Sequence, residues 1–240
     1  MKLWTTFLLM IGLSFAAFGQ NLQTTVVKYS KGIPYKGCKY TVDFDLRWPV
    51  AGAPHEVIGN IQNQLLQNII GEKALNQDIY ASINNHINAT IYEWKKDIDD
   101  DCQSDWQEIY KGYFLTAAHN FISYMLEVYQ YFGGAHGVGN TFSINFNLKT
   151  GRRVLESDLF VANYEKTLQG IIKSNLRRAH PDLIGDITWE DVVPNDNFYI
   201  TSKGITYIFN PYEIAYYALG TIKVNLPWKD LAPILKRANY

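Results

Sequence analysis

The side chains best suited to chemistry are scattered, and each set lacks a part its chemistry would need. His136 lies in a glycine-rich run, Gly133-Gly134-Ala135-His136-Gly137-Val138-Gly139-Asn140. A phosphate-cradling loop would end in Lys-Ser or Lys-Thr and lead into a helix whose N-terminus holds the anion. This run has neither and joins two strand-like segments, so it reads as a turn that needs positive φ or close backbone approach. Asp97, Asp99, Asp101, Asp105 and Glu108 fall on ligand positions of a calcium-loop template. However, Cys102 stands where that template requires glycine, and Ser104 where an aliphatic residue is usual. A solvated acidic loop is the expectation. His55, His86, His119, His136 and His180 show no zinc-protease spacing, and there is no Gly-x-Ser-x-Gly elbow. Asp43 and Asp45 share the polar face of a strand. Asn88-Ala89-Thr90 fits a glycosylation acceptor but falls within a helical pattern. No catalytic constellation, metal site or cofactor motif emerges.

The elements that position these residues follow from periodicity. Tyr40, Val42, Phe44, Leu46 and Trp48 alternate with Thr41, Asp43, Asp45 and Arg47, which predicts a half-buried strand over 38–48. Pro49, Gly52 and Pro54 end it. Val57, Ile58, Ile61, Leu65 and Ile69 predict a helix closed by Gly71, and a stripe from Leu75 to Ile98 predicts a second. Beyond residue 105 the texture changes. Strands are expected at 107–117 and 120–132 around a His119-Asn120 turn, then at 142–148, 197–201, 204–209 and 222–226. One helix is expected from about Asn163 to Arg178, and 181–196 reads as irregular. Pro227 is suited to opening a short terminal helix. Helices flanking antiparallel-looking strands define an α+β chain, arranged as two lobes able to pack as one unit.

Composition narrows the setting. The chain is 47% hydrophobic and 19% charged, with a formal net charge of -1. That supports a core and argues against a nucleic-acid binder. Met1-Lys2, an apolar run from Leu3 to Phe15 and the small residues Ala17 and Gly19 form the order of a secretory signal peptide. Cleavage is expected near Gly19-Gln20, giving a periplasmic or secreted protein with no membrane span in the mature chain. Cys38 and Cys102 are the only cysteines. In an oxidising compartment they form a disulfide by default, the alternative being two buried thiols. The expected organisation is a signal peptide over 1–19, an N-terminal lobe over 20–105 and a C-terminal lobe over 106–240.

A resemblance enters through the second half. Its carriers are Tyr131-Phe132-Gly133-Gly134-Ala135-His136-Gly137, Phe146-Asn147-Leu148-Lys149-Thr150-Gly151 and Ser157-Asp158-Leu159-Phe160. Asn197-Phe198-Tyr199-Ile200, Gly204, Phe209-Asn210-Pro211-Tyr212-Glu213-Ile214-Ala215, Gly220 and Leu226-Pro227 continue the series. This order resembles the extracytoplasmic RsiV-like domain family found at the C-terminus of RsiV-type anti-sigma factors. The first half, from Cys38 to Pro49 and the following helix, resembles more loosely the PdaC-like companion module of peptidoglycan deacetylases. The resemblance implies an α+β fold, an envelope or secreted location and, from the anti-sigma member, lysozyme binding. The pattern departs at Tyr216, where a proline is usual. The chain shows no cytoplasmic sigma-binding segment, so an anti-sigma factor of that design is not expected.

The functional expectation is a non-catalytic binding module for a protein such as lysozyme or for cell-wall glycan. Its binding face would draw on Gly133, Gly134, His136 and Gly137 with Tyr212, Glu213, Tyr216 and Tyr217, since tyrosines offer rigid contact area at low entropy cost. The competing expectation is a cell-wall hydrolase using Glu213, His136 or the acidic strand residues. That reading requires those groups to converge in one cleft.

Overall fold

The computed structural model describes residues 22–71, 78–97 and 104–236. The chain opens with a long hairpin, β1 (Gln23–Tyr35) and β2 (Cys38–Ala51). Lys36 and Gly37, both at positive φ, make its two-residue turn, the geometry that matches the twist of paired strands. The strand expected at 38–48 is present, and its apolar face, Tyr40 through Trp48, is buried. β1 was not anticipated. It is an edge strand, and its lysines, Gly32 and Pro34 suit an edge while diluting the hydrophobic alternation.

Helices α1 (His55–Ile70) and α2 (Ile79–Asp97) cross over the sheet to β3 (Trp106–Phe114). That crossover lets β3 pair with β2 in parallel, the single parallel pair among the described residues, whose other ladders are antiparallel. β4 (Phe121–Tyr131), β5 (Val138–Asn147) and β6 (Arg153–Val154) complete a six-stranded sheet in order β1-β2-β3-β4-β5-β6. The change of texture at residue 105 therefore falls inside this sheet, just before β3. Leu75 and Ile98 of the expected second stripe lie outside the described residues.

The remaining elements are α3 (Glu156–Leu159), α4 (Glu165–Ala179), β7 (Phe198–Thr201), β8 (Gly204–Phe209), β9 (Ile222–Pro227) and α5 (Trp228–Leu231). β7-β8-β9 form a second, antiparallel sheet, giving the α+β fold. Leu168, Ile172 and Leu176 of α4 pack on this sheet, as the helical spacing requires. Two apolar clusters result. One joins α1 and α2 to a face of the large sheet, with Trp94 at its centre against Tyr35, Tyr40 and Trp106. The other lies among α4, α5 and the small sheet and reaches Phe121 and Val154.

A polar seam holds the two sheets together. Ser123 and Asn145, on the face of β4 and β5 turned away from α1 and α2, are buried. The Ser123 hydroxyl donates to Asn145 at 2.6 Å and accepts from the Ile200 amide at 3.0 Å, while the Asn145 amide donates to the Phe198 carbonyl at 2.6 Å. Polar residues are tolerated here because each meets a partner.

Candidate functional site

The two segments marked by sequence, about 75 residues apart, meet in space. Gly133 and Gly134 take φ near +93° and +92°, which few side chains tolerate. The Gly134 carbonyl accepts from the Tyr131 hydroxyl at 2.9 Å. Gly137 serves a different need: a Cβ there would lie 2.4 Å from the Tyr129 hydroxyl oxygen. This bend brings His136 onto Tyr217, with ring centroids 4.1 Å apart and planes 18° from parallel. The Tyr217 hydroxyl donates to the Gly137 carbonyl at 2.8 Å. Tyr212 lies 5.5 Å from Tyr217 between centroids. Tyr212 is 61% exposed and Tyr216 51%, so this junction presents aromatic surface to solvent.

The 210–217 segment owes its shape to a buried anchor. Ile214 is buried, and its carbonyl accepts from the Thr188 amide at 2.8 Å. Asn210 is buried too, and its Oδ1 accepts from the Thr141 amide at 2.7 Å. Asn197 works beside it, accepting from the Ser143 amide at 2.9 Å and donating to the Thr141 carbonyl at 2.9 Å. Beyond the two-residue β6, β5 would have an open edge. The two asparagine side chains occupy it, satisfying backbone groups that a neighbouring strand would otherwise take.

Between this cover and α1 lies a cleft of about 370 Å³, whose lining includes Asn68, Phe142, Ser143, Arg153, Asp196 and Glu213. Glu213 thus faces a different feature from its tyrosine neighbours. Its carboxylate accepts long bonds from Asn195 at 3.4 Å and Asn210 at 3.3 Å. His136 is not part of that lining. The convergence required by the hydrolase expectation is not seen between these two residues.

Two carboxylates among the described residues are buried, Glu156, which the sequence does not single out, and Glu108, which it places in an acidic loop. Glu156 accepts from the Tyr207 hydroxyl at 2.8 Å, the Asp196 amide at 2.9 Å and the Tyr164 hydroxyl at 3.2 Å. Burial raises its pKa above the ordinary carboxylate value, although these bonds oppose the shift. Glu108 accepts from Tyr110 at 3.0 Å and from Tyr40 and Gln130 at 3.2 Å each. Burial and the Glu108 charge raise the pKa of both tyrosines. Alternation along β3 was the available signal, because it puts Glu108 on the inward face with Tyr110. This corrects the expectation of a solvated acidic loop at the last position of the calcium template. Its last ligand points into the core among hydroxyl donors, and Asp105 accepts from the Lys39 amide at 2.8 Å. Asp99 and Asp101 lie outside the described residues, among which no metal-binding group of carboxylates, histidines and cysteines occurs.

The other candidates have local roles. His119 makes the expected turn, with φ of 55° beside the Ala118–Phe121 bridge. His180 Nε2 lies 3.1 Å from the Lys223 carbonyl. Asp43 accepts from Ser30, and Asp45 faces Lys28 at 3.5 Å on the surface. Cys38 is buried at the start of β2, whereas Cys102 and the expected signal segment lie outside the described residues. No helix among the described residues is long and apolar enough to cross a membrane.

Comparison with known proteins agrees with this architecture. Residues 157–229 match the DUF3298 domain, described as a protein of unknown function. No curated protein matches the chain. A DUF3298 family member from Bacteroides fragilis superposes with a TM-score of 0.80 at 18% identity, over 90% of this chain and 94% of that one. A DUF3298 family protein from Pseudomonas aeruginosa PAO1 superposes at 0.65 with 17% identity, over 92% of this chain and 97% of that one. The shared fold thus extends well beyond the matched domain, across both sheets.

Proposed function

We propose that this protein is a non-catalytic binding module of the cell envelope, RsiV-like in its second half and PdaC-like in its first. It acts in the periplasm or outside the cell after removal of its signal peptide. Its ligand is a lysozyme-like protein or cell-wall glycan. The observation that carries this reading is the junction of the glycine loop with the Tyr212–Tyr217 segment. His136 and Tyr217 are locked by stacking and a hydroxyl–carbonyl bond, which leaves Tyr212 and Tyr216 presented on a preorganised support. Rigid, half-exposed tyrosines offer contact area with little rotamer entropy left to lose. An oxidised Cys38–Cys102 pair belongs to the same reading. The Lys39–Asp105 bond ties the residue after Cys38 to one three positions beyond Cys102.

Titration calorimetry with lysozyme and with soluble peptidoglycan fragments tests the proposal. One of the two should saturate, and Tyr212→Ala with Tyr216→Ala should weaken it by about tenfold or more, as loss of central aromatic contacts does. Tyr80→Ala, also half exposed but on α2, should leave it unchanged. Absence of saturable heat with both ligands, or an unaltered affinity in the double variant, would overturn the assignment.

A further inference from the structure

We propose that the cleft beside β5 binds a zwitterionic small molecule, an amino acid or short peptide recognised through its carboxylate and its ammonium group. Two observations carry this. First, the cleft holds opposite charges that are not paired with each other. Among the described residues the Arg153 guanidinium meets only the Asn68 side-chain oxygen, at 3.2 Å, and neither Arg153 nor Glu213 forms a salt bridge. A guanidinium has five donors and a carboxylate about four acceptor sites, so both retain capacity. Second, Leu126, Phe142 and Ile144 also line the cleft, and the half-exposed Phe142 ring offers apolar surface to an aliphatic side chain.

The volume of about 370 Å³ suits a molecule of this size. Arg153 holds the carboxylate, bidentate geometry being natural to a guanidinium. Glu213, with Asp196 close by, holds the ammonium. Of these groups, only Glu213 lies in the segment assigned to envelope binding, and the exposed tyrosines are not part of the lining. The inference therefore stands independently of that function.

Calorimetry of the purified protein with L-alanine, L-alanyl-L-alanine and the doubly blocked N-acetyl-L-alanyl-L-alanine amide provides the test. At least one free zwitterion should saturate below about 10 mM, a weak but measurable affinity, and the blocked peptide should not. Arg153→Gln and Glu213→Gln should each weaken binding by about tenfold or more, the loss expected for a charge-assisted bond. Thermal melts of each variant separate lost binding from lost folding. Equal binding of the blocked peptide, wild-type affinity in both charge variants, or no saturation by either zwitterion would overturn the proposal.

Discussion

Asn197→Ala offers a direct test of how the β5 edge is closed. The wild-type side chain makes three bonds: it accepts from Ser143 at 2.9 Å and donates to Thr141 at 2.9 Å and to Ile208 at 3.3 Å. A net hydrogen bond is worth about 1 kcal/mol, and a buried group stranded by the loss of its partner costs about 1–3 kcal/mol. The site is only partly buried and borders the cleft, so water can reach some of the stranded groups and the lower end applies. The expected destabilisation is about 2–3 kcal/mol, which for a chain of this size lowers Tm by roughly 5–10 °C. Urea unfolding at constant m isolates the stability change. Amide exchange supplies the local signature, since Ser143 N–H should lose protection before the centre of β4 does. Asn197→Asp, which keeps the acceptor and loses both donors, should fall between alanine and wild type. Asn225→Ala on the exposed face of β9 should stay within about 0.5 kcal/mol. If Asn197→Ala melts with the wild type and Ser143 stays protected, the asparagines do not close this edge.

Gly112→Ala should destabilise by about 1–3 kcal/mol, because the new methyl would lie 2.0 Å from the Tyr124 hydroxyl oxygen and 2.6 Å from its ring; an unchanged Tm would show that the fully buried Tyr124 ring moves freely. Burial raises the Glu156 carboxyl above its ordinary carboxylate value, so the folded state binds this proton more tightly than the unfolded chain. Its contribution is fully present below about pH 4.5 and is lost as pH rises through the folded pKa. Glu156→Gln should therefore gain on the wild type in denaturation experiments as pH climbs from 4.5 to 7, and parallel curves would refute the shift. For the cysteines, intact mass under non-reducing conditions should fall 2 Da (about two hydrogens) below the reduced mass. Cys102→Ser should cost about 4 kcal/mol in the loop-entropy account; two freely alkylated thiols in the unreduced protein would remove the bridge.

Legibility in the sequence followed the range of the interaction. Tyr40 to Trp48, the Val57 to Ile69 stripe and the Leu168 to Leu176 face each declare themselves through a local period, and each is buried as that period requires. The glycine loop was recognisable because the bend needs positive φ at Gly133 and Gly134. β1 was missed because an edge strand is not obliged to carry a strong alternation, and its pairing depends on a turn at Lys36-Gly37. Glu108 looked like a solvated acid or metal ligand because its three donors come from Tyr40, Tyr110 and Gln130 on three different strands.

By itself, then, the sequence determined the α+β class, most of the elements and the two segments that meet at the aromatic junction, since these depend on residue type and short-range period. Tertiary structure alone decided that β2 and β3 run parallel, that His136 lies on Tyr217, and that Glu213 turns to a cleft with Arg153. Those outcomes rest on contacts between residues far apart in the chain. No local pattern encodes them, because the partner that completes each one arrives only when the sheets pack.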